Sequence, residues 1–179
     1  YASKPPPMLL THPLPEDRIT DSRERARHYP QHRVNPSLDY NLARARVVAR
    51  YANIEAKAAL DWFDRTEKKS PPALKAAFQY GRALVYLDTK QLDKAEPLLL
   101  ALDKQDPNNN FYLDAMSDLY VEKKQPEKAQ AMLEKALKSK PANPVLTINY
   151  ANVLMKQDKN AEAVRVLQRY THEHPNDVN

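Results

Sequence analysis

The stretch that decides the fold is AAFQYGRALVYLDTKQLDKAEPLLLALDKQDPNN at 76–109, NFYLDAMSDLYVEKKQPEKAQAMLEKALKSKPAN at 110–143 and PVLTINYANVLMKQDKNAEAVRVLQRYTHEHPND at 144–177. The three segments state one pattern at a spacing of 34 residues. Ala95, Ala129 and Ala163 recur in it, as do Leu99, Leu133 and Leu167, and then Pro107, Pro141 and Pro175. A small residue stands at Ala83, Ser117 and Ala151, with a large one three positions later at Tyr86, Tyr120 and Leu154. Within each unit the small and large apolar residues recur at helical spacing. They break at a polar turn (Lys90-Gln91, Lys124-Gln125-Pro126, Asp158-Lys159-Asn160) and then resume. Each unit is therefore a helical hairpin. Its small residues mark the close crossing of the two helices, its large ones fill the space within and between hairpins, and its proline ends the second helix.

This combination resembles the tetratricopeptide repeat, with departures. The early consensus Trp is replaced by Gln79, Leu113 and Thr147, and the Leu-Gly pair by Arg82-Ala83, Met116-Ser117 and Tyr150-Ala151. The fold class expected is all-α: a right-handed tetratricopeptide-repeat solenoid of three regular repeats (76–109, 110–143, 144–177), preceded by a degenerate repeat over 37–72. In that degenerate unit the helical stretches run from Leu38 to about Tyr51 and from about Ile54 to Lys68. Ala45 takes the small position, Ala58 the second-helix alanine, and Trp62 packs inside the cap. Pro126 falls in the first turn of its helix, and Pro97 in or just after the first turn of its own.

Composition supports an all-helical chain. Among 179 residues there are 15 prolines and a single glycine, so the glycine turns of sheets are nearly absent. With no cysteine, disulfides and thiol catalysis are excluded. No apolar run approaches the roughly 18 residues that span a bilayer. A net charge of +5 raises the possibility of nucleic-acid binding, and Arg18, Arg23, Arg25, Arg27 and Arg33 do cluster. However, Glu16, Asp17, Asp21 and Glu24 are interleaved with them, and acids and bases mix along the repeats, so a solvated mixed-charge surface is the favoured reading.

Ahead of the repeats, residues 1–13 read as a proline-stiffened strap. A dipole-matched helix follows from near Pro15 to Tyr29, and then a linker over 30–37. The segment Leu9-Leu10-Thr11-His12-Pro13-Leu14-Pro15-Glu16-Asp17-Arg18-Ile19 resembles the end of the catalytic domain in HExxH zinc metallopeptidases of the HtpX and Oma-like type. Gln79 to Leu84, Phe111 to Asp114 and Asn143 to Leu146 strengthen the likeness to members of that family that carry tetratricopeptide repeats.

The resemblance implies that residues 1–36 are the tail of a peptidase domain plus a linker, and that 37–179 are an interaction domain. It further implies a periplasmic zinc endopeptidase with a chaperone-like role in outer-membrane protein biogenesis. Its repeats would engage the outer-membrane protein assembly machinery and unfolded or stalled outer-membrane proteins. The HExxH helix would precede Tyr1, so the chain reads as a fragment that itself binds no catalytic zinc and cleaves nothing. His12 would lie beside the metal of the longer protein and fill its water position. His172-Glu173-His174 has chelating spacing but reads as a solvated helix end, and His28 and His32 receive no role.

In such repeats the second, fifth, ninth and twelfth positions of the first helix line the concave face. Here they are Ala77, Tyr80, Leu84 and Leu87; Phe111, Asp114, Asp118 and Val121; Val145, Ile148, Asn152 and Met155. A groove of this mixture suits an extended or helical peptide, whereas Asp114 and Asp118 oppose a clamp for a terminal carboxylate. Two other readings remain at this stage. One is a stand-alone tetratricopeptide scaffold without an enzymatic domain, and the other is an RNA-binding helical repeat.

Overall fold

Each regular hairpin turns on a residue in the left-handed region, and the three are again 34 apart: Lys90 (φ 62°), Lys124 (φ 61°) and Asp158 (φ 58°). The amide of the next residue reaches back to the first helix, Gln91 to the Tyr86 carbonyl at 2.8 Å, Gln125 to Tyr120 at 2.8 Å and Lys159 to Leu154 at 2.9 Å. This six-to-one bond satisfies a carbonyl that the helix end leaves without a partner. The spacing of 34 thus extends to the backbone angles of the turn.

The computed structural model describes residues 37–173. Among them are eight α-helices: α1 (Leu38–Arg50), α2 (Ala56–Lys68), α3 (Lys75–Asp88), α4 (Leu92–Gln105), α5 (Asn110–Glu122), α6 (Pro126–Ser139), α7 (Pro144–Lys156) and α8 (Asn160–Glu173), with a short 3-10 turn at Pro72–Leu74 before α3. The strap, the helix and the linker expected before Pro36 lie outside the described residues, as do His12, His28, His32, His174 and Pro175.

Local sequence accounts for the start of four of these helices. Ser37 caps α1 by accepting from the Tyr40 amide at 3.2 Å. Asn109 and Asn143 cap α5 and α7 in the same way, accepting from Phe111 and Leu146. Pro126 and Pro144 occupy first turns, where their missing amide costs little. Pro97 stands just after the first turn of α4, as its place in the sequence predicts, and the helix runs on to Gln105.

Consecutive hairpins stack α3–α4, α5–α6 and α7–α8 into a solenoid. The small residues are sealed in it, with Ala83, Ala95 and Ala129 at 0 % exposure. Leu99 and Leu133 are equally buried, whereas Leu167, at the same place in the third repeat, is 36 % exposed because no following hairpin covers it among the described residues. Leu154 is buried, but Tyr86 and Tyr120 are only half-buried. Lys140 ties the second loop, donating to the Asn108 carbonyl at 2.7 Å. Ion pairs join successive repeats, Lys90 with Glu122 at 2.6 Å and Lys123 with Glu96 at 2.7 Å.

The degenerate repeat keeps its two helices but not the packing of a regular hairpin. α1 makes little contact with α2 and lies chiefly along α3. In α2 the buried alanine is Ala59, not Ala58, which is exposed. A one-residue slip from the expected register brings Phe63 into the core. Trp62 is half-buried, edge-on to Phe63 at 5.3 Å, and covered by the Arg44 guanidinium at 4.9 Å. Arg82 of α3 reaches across to Asp64 at 2.8 Å and to Glu67, fastening α2 to the regular repeats.

The single glycine finds its reason here. A Cβ on Gly81 would lie 2.3 Å from Cζ of Phe63, whose ring is fully buried. Alanine would favour the helix by roughly 1 kcal/mol, but the overlap costs more. Gly81→Ala is expected to lower unfolding stability by about 1–2 kcal/mol, with recovery when Phe63→Leu is added; urea denaturation of both variants checks this.

Candidate peptide-binding groove

α1 lies on the concave side. Its residues Leu42 and Ala45 are buried, and the concave positions of α3 beneath it (Tyr80, Leu84 and Leu87) are 0–2 % exposed. Ala77 is buried as well. The first third of the expected groove is therefore filled by this chain's own helix. What remains accessible begins at α5, where Phe111, Asp114, Asp118 and Val121 are half-buried. It widens at α7, where Val145 and Met155 are each 45 % exposed, Ile148 is 53 % exposed and Asn152 is exposed.

Two arginines one turn apart on α1 meet two aspartates one turn apart on α5. Arg46 donates to Asp114 at 2.5 Å, and Arg50 donates to Asp118 at 3.3 Å while also gripping both oxygens of Asp88 at 2.9 and 3.0 Å. Asp114 accepts a further bond from Asn149 of α7 at 2.8 Å, and the Tyr80 hydroxyl accepts from Arg46 at 3.5 Å. One network thus crosses four helices, and it carries five charges and a phenol in a partly dry wall. Tyr80 also meets Phe111 and Tyr112 with ring centroids 5.9 Å away in each case.

The electrostatics follow from burial and pairing. Burial works against charge on Arg46 and Arg50, yet the hydrogen bonds to Tyr80, Asp114 and Asp88 hold both guanidinium groups above their ordinary value. Burial pushes the Tyr80 hydroxyl up, and it stays neutral. Asp118 is raised, first by desolvation and then by the neighbouring Asp114 charge, against which Arg50 is only a partial counterweight. Asp118 is therefore the less satisfied acid of the two, and it faces open space.

That space is a cavity of about 690 Å3, lined among others by Arg50, Leu87, Asp118, Val121, Asn149, Asn152, Val153, Met155 and Lys156. A smaller one of about 300 Å3 lies between Arg46, Asn110, Phe111, Asp114 and Val145. Apolar side chains with amide groups between them give contact area plus backbone-directed hydrogen bonding, the requirement for holding a peptide segment. Arg46, Arg50 and Arg82 are all committed to carboxylates, which takes them out of any phosphate-binding surface. Among the described residues no three His, Cys, Asp or Glu side chains gather as a metal site, so they do not fit a zinc ion. None of the described helices is long and apolar enough to cross a membrane.

Sequence reasoning placed Asp114 and Asp118 on the concave face but missed their partners. The signal was present: Arg46 and Arg50 lie 68 residues before them, twice the repeat length, so α1 is in phase with the frame. A double-mutant cycle on Arg46→Ala and Asp114→Ala is expected to give a coupling of about 1 kcal/mol. Because the Asp118 carboxyl is raised in the fold, its charge opposes folding above that raised value. The opposition disappears as pH falls through it to the unfolded value. Asp118→Asn should therefore stabilise the chain at pH 7 and lose that advantage on acidification, as thermal melts across pH will report.

Models of the tetratricopeptide repeat match residues 63–110 and 120–179. The full 179 residues align at 70 % identity with a putative beta-barrel assembly-enhancing protease of Vibrio cholerae serotype O1, covering 37 % of that protein. They align at 37 % identity with the beta-barrel assembly-enhancing protease of Yersinia pestis, again over 37 % of its length, and at 36 % with that of Escherichia coli K12, over 36 %. The chain thus spans little more than a third of the curated relatives it matches. Among solved structures, MamA AMB-1 C2221 superposes with a TM-score of 0.51 over 76 % of this chain and 78 % of its own; at 15 % identity this is a likeness of fold alone. The helical solenoid and the two repeat matches agree: the chain belongs to the tetratricopeptide-repeat family, and it is similar along its whole length to part of proteins named beta-barrel assembly-enhancing protease.

Proposed function

We propose that these repeats are the protein-capturing arm of a periplasmic zinc metalloprotease and chaperone that acts in outer-membrane β-barrel assembly and quality control. The observation that carries the reading is the open concave face of α5 and α7. There Met155 lines a cavity large enough for a peptide segment, and Ile148 stands exposed on the same helix. The alignment along the whole chain with proteins named for β-barrel assembly supplies the context.

An outer-membrane strand alternates apolar and polar residues. Val121, Ile148 and Met155 offer burial to the apolar ones, and Asn149 and Asn152 offer amide partners to the exposed main chain of a segment not yet paired in a sheet. In this reading the occupants are the assembly machinery or unfolded and stalled outer-membrane proteins. In the same reading His12 belongs to the regulation of the zinc site in the longer protein.

The test is capture in the full-length protein. A photo-crosslinking residue at Asn152 should trap outer-membrane proteins or assembly components, and Ile148→Glu with Met155→Glu should cut that capture about tenfold. Both positions are exposed, so folding is preserved and circular dichroism will show it. Undiminished capture by the double variant would place the binding surface elsewhere.

A further inference from the structure

α1 has the position of a ligand. It lies along the concave side of α3, makes little contact with α2, and is joined to it by the short stretch 51–55, in which Asn53 takes φ 51°. Its outward residues Tyr40, Val47 and Tyr51 are 53–68 % exposed, so nothing among the described residues holds it from outside. It is retained by an apolar face, with Leu42 and Ala45 buried and Leu38, Val48 and Ala49 half-buried against the core, and by the pairs of Arg46 and Arg50 with Asp114, Asp118 and Asp88. Its C-terminal end opens directly on the large cavity, since Arg50 belongs to that lining.

We propose that α1 is a built-in competitor for the groove. A partner helix with an apolar face and two basic residues one turn apart displaces it, pairs with Asp114 and Asp118, and gains Tyr80, Leu84 and Leu87 as contact surface. This rests on the groove being a peptide-binding surface, and it adds the partner's chemistry. The partner pattern is read from the occupant. Aspartates at i and i+4 in a partly desolvated wall are matched by arginines at i and i+4, and the buried floor is met by the apolar face that carries Leu42 and Ala45. A helix a turn or two longer than α1 would extend past Arg50 into the cavity, reaching Val121 and Met155, which α1 leaves uncovered. Tethering gives α1 a high effective concentration, so a free competitor sees its affinity reduced by the fraction of chains in which α1 is released.

The experiment uses the intact 179-residue chain and a labelled peptide of α1's own sequence, residues 37–52. Amide hydrogen exchange is expected to show α1 opening at least tenfold faster than α3 and α5, and faster still as salt rises. By fluorescence anisotropy the peptide should bind the chain, and bind Arg46→Ala/Arg50→Ala about tenfold more tightly because its intramolecular rival is weakened. A peptide with both arginines replaced by alanine should fail on either form. If the double variant loses helical dichroism, exchange and salt titration of the wild-type chain decide alone. Exchange of α1 only in step with α3 and α5 overturns the proposal, and peptide binding in that case would leave the groove reading standing without displacement. Opening of α1 with no peptide bound overturns the competitor proposal, and the groove reading is then decided by capture at Asn152 alone.

Discussion

Two carboxylates set one turn apart in the wall of an apolar groove require counter-charges, and much of this structure follows from how Asp114 and Asp118 obtain them. A carboxylate half-removed from water is costly unless paired. Arg46 and Arg50 supply the pairing, but only if α1 lies along α3 and not against α2. That placement buries Tyr80, Leu84 and Leu87, brings the Tyr80 hydroxyl to Arg46, and closes the first repeat to outside partners. The accessible surface begins where the arginines stop, at Asp118 and beyond.

The solenoid itself was legible in the sequence because its determinants are periodic. The alanines at the helix crossings and the first two leucines behind them, Leu99 and Leu133, recur at 34 and are buried, and Pro107 and Pro141 follow the ends of α4 and α6. What was not legible depends on departures from the period. Ala59 in place of Ala58 is a slip of one residue in a unit whose spacing to its neighbour is not 34, so no register was available to fix it. The position of α1 is a tertiary choice between two helix faces, α2 or α3, and hydrophobic periodicity scores both alike.

Of the candidate groove, the concave positions were assigned from the repeat frame alone, and the structure divides them by burial. Tyr80 and Leu84 are sealed, Asp114 is tied to Arg46 and Asn149, and Ile148 and Met155 are open. The frame locates a face; it does not record what lies on that face. The clue that α1 lies there is electrostatic, two arginines and two aspartates separated by twice the repeat length, and it becomes readable only when charge is followed across repeats rather than along one helix.

Because each repeat adds one rung, the chemistry of the concave face changes stepwise along the axis. The fifth position of the first helix runs from Tyr80 through Asp114 to Ile148, and the ninth from Leu84 through Asp118 to Asn152. Charge is therefore concentrated where α1 docks, and apolar and amide groups where the face is free. A self-docked helix needs specificity, which paired charges confer at little net gain in affinity. A surface meant for many different segments needs adaptable area, which Ile148, Met155 and two asparagines provide. The same scaffold, read one rung further along, thus changes from holding one fixed helix to receiving variable ones.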